Sequence, residues 1–233
     1  MTRRYFVSDL PVSGGRVMLP DTEAQHAIRV MRVQVGDEIE LFDGKGHQCR
    51  ATFTEIGRNR CQCLAEPVEF VSREPSVSLE LGIALPKPDR CRELVERLTE
   101  LGVRSVTPLV ARRTQRPPSD SLLDKLKRSV VEASKQCGRN HLKEIQGVTP
   151  ANEFFANAED GTKLIAHPSN DAATLGSVTK GESFVAAVGP EGGWTDEEVD
   201  LARRHDFRPI GLGSRTYRIE TAAVAIAAVL IGQ

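Results

Sequence analysis

The sequence predicts an α/β protein in which a mostly parallel, helix-covered sheet follows a smaller β-rich domain. Three observations carry this expectation. From Val77 onward short apolar runs alternate with amphipathic stretches; the first seventy or so residues instead alternate apolar and polar positions with period two; and the polar, Pro-containing segment "VSREPSVS" separates the two textures. The boundary is therefore placed at 73/74, giving domains 1–73 and 74–233. With 233 residues the chain can bury a sizeable core.

In the first domain "DTEAQHAIRVMRV" reads as a short helix carrying Arg29 and Arg32. In "GDEIELFDGKGHQCRATFTEI", Ile39 and Leu41 on one side of a Gly-Lys-Gly turn, and Ala51 and Phe53 on the other, predict a hairpin of a small barrel. In the second domain "VSLELGIAL" is a strand and "DRCRELVERLTELG" a helix stopped by Gly102. "SVTPLVA" is the next strand, and "SDSLLDKLKRSVVEASKQCG" a long helix stopped by Gly138. A strand at "KEIQGV", a helix near "ANEFFANA" and the strand "KLIAH" follow, then the run Phe184 to Val188 with its helix, then "RPIGLG" and a last helix from about Ile219.

The apolar run Phe184 to Val188 breaks into Gly189-Pro190-Glu191-Gly192-Gly193 just before a helix, whose N-cap is expected at Thr195 with Glu198 as capping-box partner. Open α/β sheets place ligands between a strand end and a helix start. A tight turn without a ligand satisfies the same local pattern. Two more loops follow apolar strands, His167-Pro168 and "GLGSRTYRIETAA", and loops after parallel strands converge at one sheet edge. A dinucleotide reading of Gly211-x-Gly213 fails, because Thr216 replaces the third glycine and the required acidic residue would fall near or past the chain end; no Gly-Lys-Ser or Gly-Lys-Thr phosphate loop exists either. Glu191 places a carboxylate inside the turn, which repels a phosphate and suits a cationic ligand such as a sulfonium.

The formal charge of −1 conceals an asymmetry: Lys87 to Lys143 carries 14 Lys and Arg against 7 Asp and Glu. Such a segment is compatible with a polyanion partner, and equally with a solvated helix face. Five cysteines without a CxxC pair fit neither a disulfide framework nor a zinc site, so no metal is expected, and Cys61 and Cys63 read as ordinary thiols. The N-terminus has no apolar signal region, and the longest apolar run, Ala222 to Ile231, is too short to span a bilayer, so a cytoplasmic setting without a membrane partner is expected.

Five motifs, "RRYFV", "LTELGV", "KQCGRN", "GPEGGWTDEE" and "LGSRTYRIETAA", occur in an order and over a span that resemble the RsmE family of 16S rRNA uracil-N3 methyltransferases, within the SPOUT superfamily. The resemblance implies a SPOUT-type α/β domain with a C-terminal deep trefoil knot, a small N-terminal PUA-like β-barrel that binds RNA, and a homodimer. It also implies S-adenosyl-L-methionine as methyl donor and 16S rRNA of the small ribosomal subunit as partner, methylated at N3 of one uridine. Tyr217 stands where the family more often has Leu, and Ile219 where it often has a polar residue. By similarity the donor site comprises His167, Pro168, Val188, Gly189, Glu191, Gly192, Gly193, Leu212, Gly213, Tyr217, Arg218, Thr221 and Ala222.

Uracil N3 is protonated and weakly nucleophilic at neutral pH, so charge developing on the base needs a partner. Arg218 is the first catalytic candidate and Glu220, as a base, the second. Structural roles stand beside these: an ion pair of Arg218 with Glu220 or Glu191, and a helix-dipole role for Glu220. Arg3, Arg4, Arg29, Arg32, Lys87, Arg112, Arg113 and Arg139 are assigned to RNA. Trp194 reads as a packing residue, and the Ala-rich final helix as a dimer surface. The competing functions are a non-catalytic RNA-binding dimer and a SPOUT methyltransferase acting on another rRNA or tRNA nucleotide.

Overall fold

The computed structural model describes residues 3–169, 172–178 and 180–232. Two compact units divide the chain: the described residues up to 74 together with 131–142, and 75–130 together with the described residues from 143 onward.

The first unit contains β1 (Arg3–Phe6), β2 (Gly15–Met18), α1 (Asp21–Arg29), β3 (Glu38–Phe42), β4 (His47–Ile56), β5 (Cys61–Ala65) and β6 (Glu69–Phe70). Its sheet runs β1-β3-β4-β5-β2 with β6 on β4; β1 lies parallel to β3 and the other pairs are antiparallel. The period-two pattern has the expected result: Ile39, Leu41, Ala51, Phe53, Cys61 and Cys63 point into one core with Tyr5 and with Ala24 and Ala27 of α1. Burial pushes the Cys63 thiol up to about 12, which keeps it protonated and unreactive.

The β3–β4 turn is a local device. The Asp43 carboxylate accepts hydrogen bonds from the backbone N–H groups of Lys45 (2.7 Å) and His47 (3.1 Å) and meets His47 Nδ1 at 2.8 Å. Burial alone would raise its pKa; the two N–H donors and the imidazole outweigh that and hold it below the ordinary Asp value.

Residues 131–142 join the first unit through buried polar groups. Arg4 donates to the carbonyl of Ser134 at 2.8 Å, pairs with Glu40 and bonds the Asn140 side chain, while Arg139 holds Glu74 through Nε at 2.8 Å. Their side chains are 7 % and 6 % exposed. A buried guanidinium is tolerated only when its donors are satisfied, and here protein acceptors satisfy them. This corrects the assignment of Arg4 and Arg139 to RNA: both charges are turned inward.

The second unit contains β7 (Ser78–Ile83), α2 (Pro88–Glu100), β8 (Ser105–Val110), α3 (Asp120–Cys137), β9 (Glu144–Ile145), β10 (Thr149–Pro150) and α4 (Ala151–Ala156). It continues with β11 (Thr162–Ala166), β12 (Ala173–Thr174), a 3-10 turn at Leu175–Ser177, β13 (Ser183–Val188), α5 (Asp196–Arg204), β14 (Arg208–Gly211) and α6 (Ile219–Ile231). The last turns of α3 belong to the first unit. Every pairing in the order β10-β8-β7-β13-β11-β14-β12, with β9 on β8, is parallel.

Helices cover the sheet because its central strands are apolar on both faces. Val185, Ala187 and Ile165 pack with Phe154 and Phe155 of α4, Val199 and Ala202 of α5, and Trp194 and Phe207. Phe184, Ala186 and Val188, in register with Leu79, Leu81 and Ile83, form the opposite face, and α6 packs on β7 and β13 and against α2.

The Asp43 turn gives a pH test. A carboxylate whose pKa falls on folding contributes stability that is present above its unfolded pKa and lost as pH falls through its folded one. Asp43→Ala is expected to cost about 1–2 kcal/mol at neutral pH. In urea titrations across a pH series, the gap from the unsubstituted protein should close as pH drops below the ordinary value of 3.8; a pH-independent gap would show that the charge is irrelevant.

Candidate active site at the carboxyl edge of the sheet

Three adjacent strands end at the same level. Ala166, the last residue of β11, is in register with Val188, the last of β13, on one side and with Ile210 of β14 on the other. The chain therefore leaves the sheet at His167, Gly189 and Leu212 along one edge, and His167 N–H still donates to the Ile210 carbonyl at 3.1 Å. The neighbouring strand joins this edge too, since Ala84 N–H donates to the Val188 carbonyl at 2.9 Å and the chain then turns through Leu85-Pro86-Lys87. The three loops named from the sequence thus occupy one sheet edge.

The Gly189–Gly193 turn is anchored by its chemistry and by two arginines. Thr195 caps α5 with the full capping box: its hydroxyl accepts from Glu198 N–H at 3.3 Å, and the Glu198 carboxylate accepts from Thr195 N–H at 2.9 Å. That carboxylate also accepts from Arg112 N–H at 2.7 Å, tying the loop after β8 to the start of α5. Arg113 Nη1 donates to the carbonyls of Gly192 (2.8 Å) and Trp194 (3.2 Å). Arg90 of α2 reaches Glu220 at 3.4 Å and Glu191 at 3.9 Å, so one guanidinium joins the turn to the first turn of α6.

These contacts revise several expectations. The ion-pair partner of Glu191 and Glu220 is Arg90, not Arg218. Arg113, assigned to RNA, has its guanidinium on the turn's carbonyls. Arg218 is the exposed N-cap of α6 and makes no ion pair among the described residues. Trp194 is 4 % exposed and stacks obliquely on Phe155 at 5.6 Å, a packing role. Arg29, Arg32, Lys87 and Arg112 are exposed, and Arg3 pairs with Asp37 at 3.2 Å.

The glycines leave space rather than fill it. A side chain at Gly193 would meet only Arg113 Nη1, at 4.0 Å, and one at Gly213 only the Tyr217 hydroxyl, at 3.9 Å; both residues have positive φ, +71° and +114°, which disfavours any larger residue. Each glycine thus leaves its backbone open to close approach by a small molecule at the carboxyl edge. His167, Leu212 and Tyr217 are half-buried, Pro168 and Thr221 are exposed, and Val188 and Ala222 are buried. Arg90 and the Arg113 contacts are the elements that sequence reasoning missed: Arg90 lies 101 positions before Glu191 and 130 before Glu220, and no local pattern marks such a pairing.

An all-parallel sheet with its loops gathered at one carboxyl edge is an α/β ligand-binding architecture, and one chain combines it with a β-rich unit. A family model described as an RNA methyltransferase domain matches residues 73–231, and one described as an RNA methyltransferase PUA domain matches residues 19–66. Ribosomal RNA small subunit methyltransferase E of Synechocystis sp. is 32 % identical over 236 residues, covering 97 % of this chain and 77 % of that protein. The protein of the same name from Bacillus subtilis is 27 % identical, covering 86 % and 83 %. A methyltransferase from Legionella pneumophila, solved with bound SAM, superposes with a TM-score of 0.94 at 28 % identity over 99 % of this chain and 97 % of that one. Ribosomal RNA small subunit methyltransferase E from Neisseria gonorrhoeae, bound to S-adenosyl methionine, gives 0.91 at 29 % identity with the same coverage. The chain belongs to the ribosomal RNA small subunit methyltransferase E family.

The two inner glycines should respond differently to substitution. A Cβ at Gly189 would lie 2.8 Å from Trp194 Cε2, inside packed aromatic structure, whereas one at Gly192 meets Arg113 Cβ at 3.3 Å, tight by only a few tenths of an ångström. Gly189→Ala is expected to destabilise by roughly 1–3 kcal/mol and Gly192→Ala by well under half of that. Thermal melts compare them, and equal shifts would contradict the packing described.

Proposed function

We propose that this protein transfers the methyl group of S-adenosyl-L-methionine to N3 of one uridine of 16S rRNA, in the small ribosomal subunit and in the cytoplasm. The observation that carries the reading is the in-register ending of β13, β11 and β14, which puts the glycine turn, His167 and the Leu212–Arg218 loop at one edge in a chain of this family. Relatives that superpose over nearly the whole chain hold the same donor.

His167, Pro168, Val188, Gly189, Gly192, Gly193, Leu212, Gly213, Tyr217, Thr221 and Ala222 would hold the donor. Bound there, it supplies an electrophilic methyl carbon on a sulfonium. Glu191 adds a carboxylate that favours a cationic ligand over a phosphate. The residues' contribution to an in-line transfer is mainly positional. Arg218 donates to the uracil carbonyl oxygens as negative charge grows there, a role open to it because its guanidinium is exposed and unpaired among the described residues. Glu220, held by Arg90, is the candidate acceptor for the N3 proton. Arg3, Arg29, Arg32, Lys87 and Arg112 remain as candidate RNA contacts.

Two further features of the resemblance belong to this reading. One is the threaded connection near the C-terminus, carried by membership of the family. The other is a homodimer, supported by the face of α6 at Val224, Ala225 and Ala228, which stays partly or fully exposed.

Calorimetry should detect binding of S-adenosylmethionine or S-adenosylhomocysteine and none of NAD. Mass spectrometry of rRNA from cells lacking the gene should show 3-methyluridine only after purified protein and donor are added. Arg218→Ala is expected to lower turnover about 100- to 1,000-fold while donor affinity stays within a few-fold. Nucleotide binding without a response to either sulfur ligand, or full turnover by Arg218→Ala, would refute the corresponding part.

A further inference from the structure

The acceptor imposes a requirement that the donor loops do not meet. N3 lies on the Watson–Crick edge of uracil, so it is reachable only in a base that is unpaired and withdrawn from its stack, and a withdrawn base needs a place to sit. A cleft of about 710 Å³ adjoins the donor turn within the second unit. Its walls are the loop after β7, the loop between β8 and α3, and the Pro190-Glu191-Gly192 corner, with Ile219 at the end next to α6. The volume falls within the range of small-molecule sites.

Two chemistries line it. One is apolar and stiff: Leu85, Leu122 and Ile219 stand among prolines, including the pair Pro117-Pro118. The other is cationic: Lys87, Arg116 and Lys125 are exposed on the cleft, and among the described residues none makes a side-chain hydrogen bond or ion pair. The acidic groups here are Asp89 and Glu191, and Arg90 faces the latter. Three cations without a protein partner, set beside stiff apolar surface, contribute nothing to fold stability and match a polyanion carrying flat apolar groups.

We propose that this cleft seats the target nucleotide of a single-stranded RNA segment. The base lies against Leu85, Leu122 and Ile219 at the end that meets Gly192, and Lys87, Arg116 and Lys125 hold the flanking phosphates. The assignment rests on the methyl-transfer reading above and adds the acceptor's location. The rigid proline walls reduce the entropy lost on binding, and the shared residues Glu191 and Gly192, with Ile219 next in sequence to Arg218, bring the seated base to the donor edge.

Kinetics and cross-linking test it together. With gene-deleted small subunits as substrate, Arg116→Ala and Lys125→Ala should each raise KM for RNA by roughly tenfold, leave kcat within about twofold, and flatten the log–log salt dependence by about 0.7. S-adenosylhomocysteine affinity should not change, Lys125→Arg should restore KM, and Lys127→Ala on the same helix should match the unsubstituted protein. A short RNA carrying 4-thiouridine, irradiated with the protein and S-adenosylhomocysteine, should cross-link within the segments 84–89, 113–122 or 190–192, or at Ile219. If the unsubstituted protein methylates rRNA but the Arg116→Ala/Lys125→Ala double variant keeps its KM and salt slope, or all cross-links fall outside those segments, the cleft assignment is overturned and the methyl-transfer reading stands. If cross-links fall in the cleft but no 3-methyluridine forms, the cleft stands and the reaction reading fails.

Discussion

Ala166 pairs with Val188 on one side and with Ile210 on the other, and that register decides where everything else in the second unit can act. Parallel strands all finish at the same edge, so each connection must leave there and return around the sheet to begin the next strand. A slip of one residue in either pairing would exchange core and opposite faces along the strand, turning Val185 and Ala187 away from Phe154 and Phe155. The packing against α4 and α5 therefore holds the register, and the register holds the loops level. The placement of the glycine turn is a consequence of core packing before it is a feature of the loop.

A turn made largely of glycine has little to hold itself. The contacts that fix Gly189–Gly193 differ in strength, and magnitudes rank them. Arg90 to Glu191 spans 3.9 Å with the carboxylate 57 % exposed, an arrangement worth at most about 1 kcal/mol. Arg113 to the Gly192 and Trp194 carbonyls, at 2.8 and 3.2 Å, consists of charged hydrogen bonds of the order of 1.5–3 kcal/mol each before exposure is discounted. The capping box satisfies donors at the start of α5. Arg113 and the cap therefore set the turn's shape, and Arg90 couples it to α6. That division leaves Glu191 free to respond to a ligand while the backbone around it stays put.

What the sequence revealed follows from the range over which each signal acts. The Thr195–Glu198 box, the Gly44-Lys45-Gly46 turn, the helix stops at Gly102 and Gly138, and the alternation in β3 and β4 are all decided within a few residues, so pattern reading found them. Loop convergence was legible because parallel topology forces it once strands and helices alternate. Ion pairing was not. Arg4 meets Glu40 36 positions away and Asn140 136 positions away, and as members of a basic list Arg4 and Arg139 are indistinguishable from Arg29. Nor does any local signal show that the end of α3 and the "KQCGRN" segment pack with the first unit, since helix periodicity says which face is apolar and not what covers it.

The basic middle segment presents less free charge than its composition suggests. Its excess of positive charge suggested a polyanion surface, but much of that charge is consumed locally: Arg92 and Arg97 in helix pairs with Glu96 and Glu93, Arg104 with Glu80 and Glu159, Lys135 with Glu23, and Lys143 on the Val95 carbonyl. Cations so engaged contribute little potential beyond a Debye length of about 8 Å. The field that reaches a partner comes from those left over, and Lys87, Arg116 and Lys125 line one cleft at the carboxyl edge. Net charge along a sequence thus overstates the electrostatic footprint and cannot place it. Subtracting the paired residues leaves Lys87, Arg112, Arg116, Lys125 and Lys127 among the exposed cations, and three of these, Lys87, Arg116 and Lys125, share the cleft beside the glycine turn.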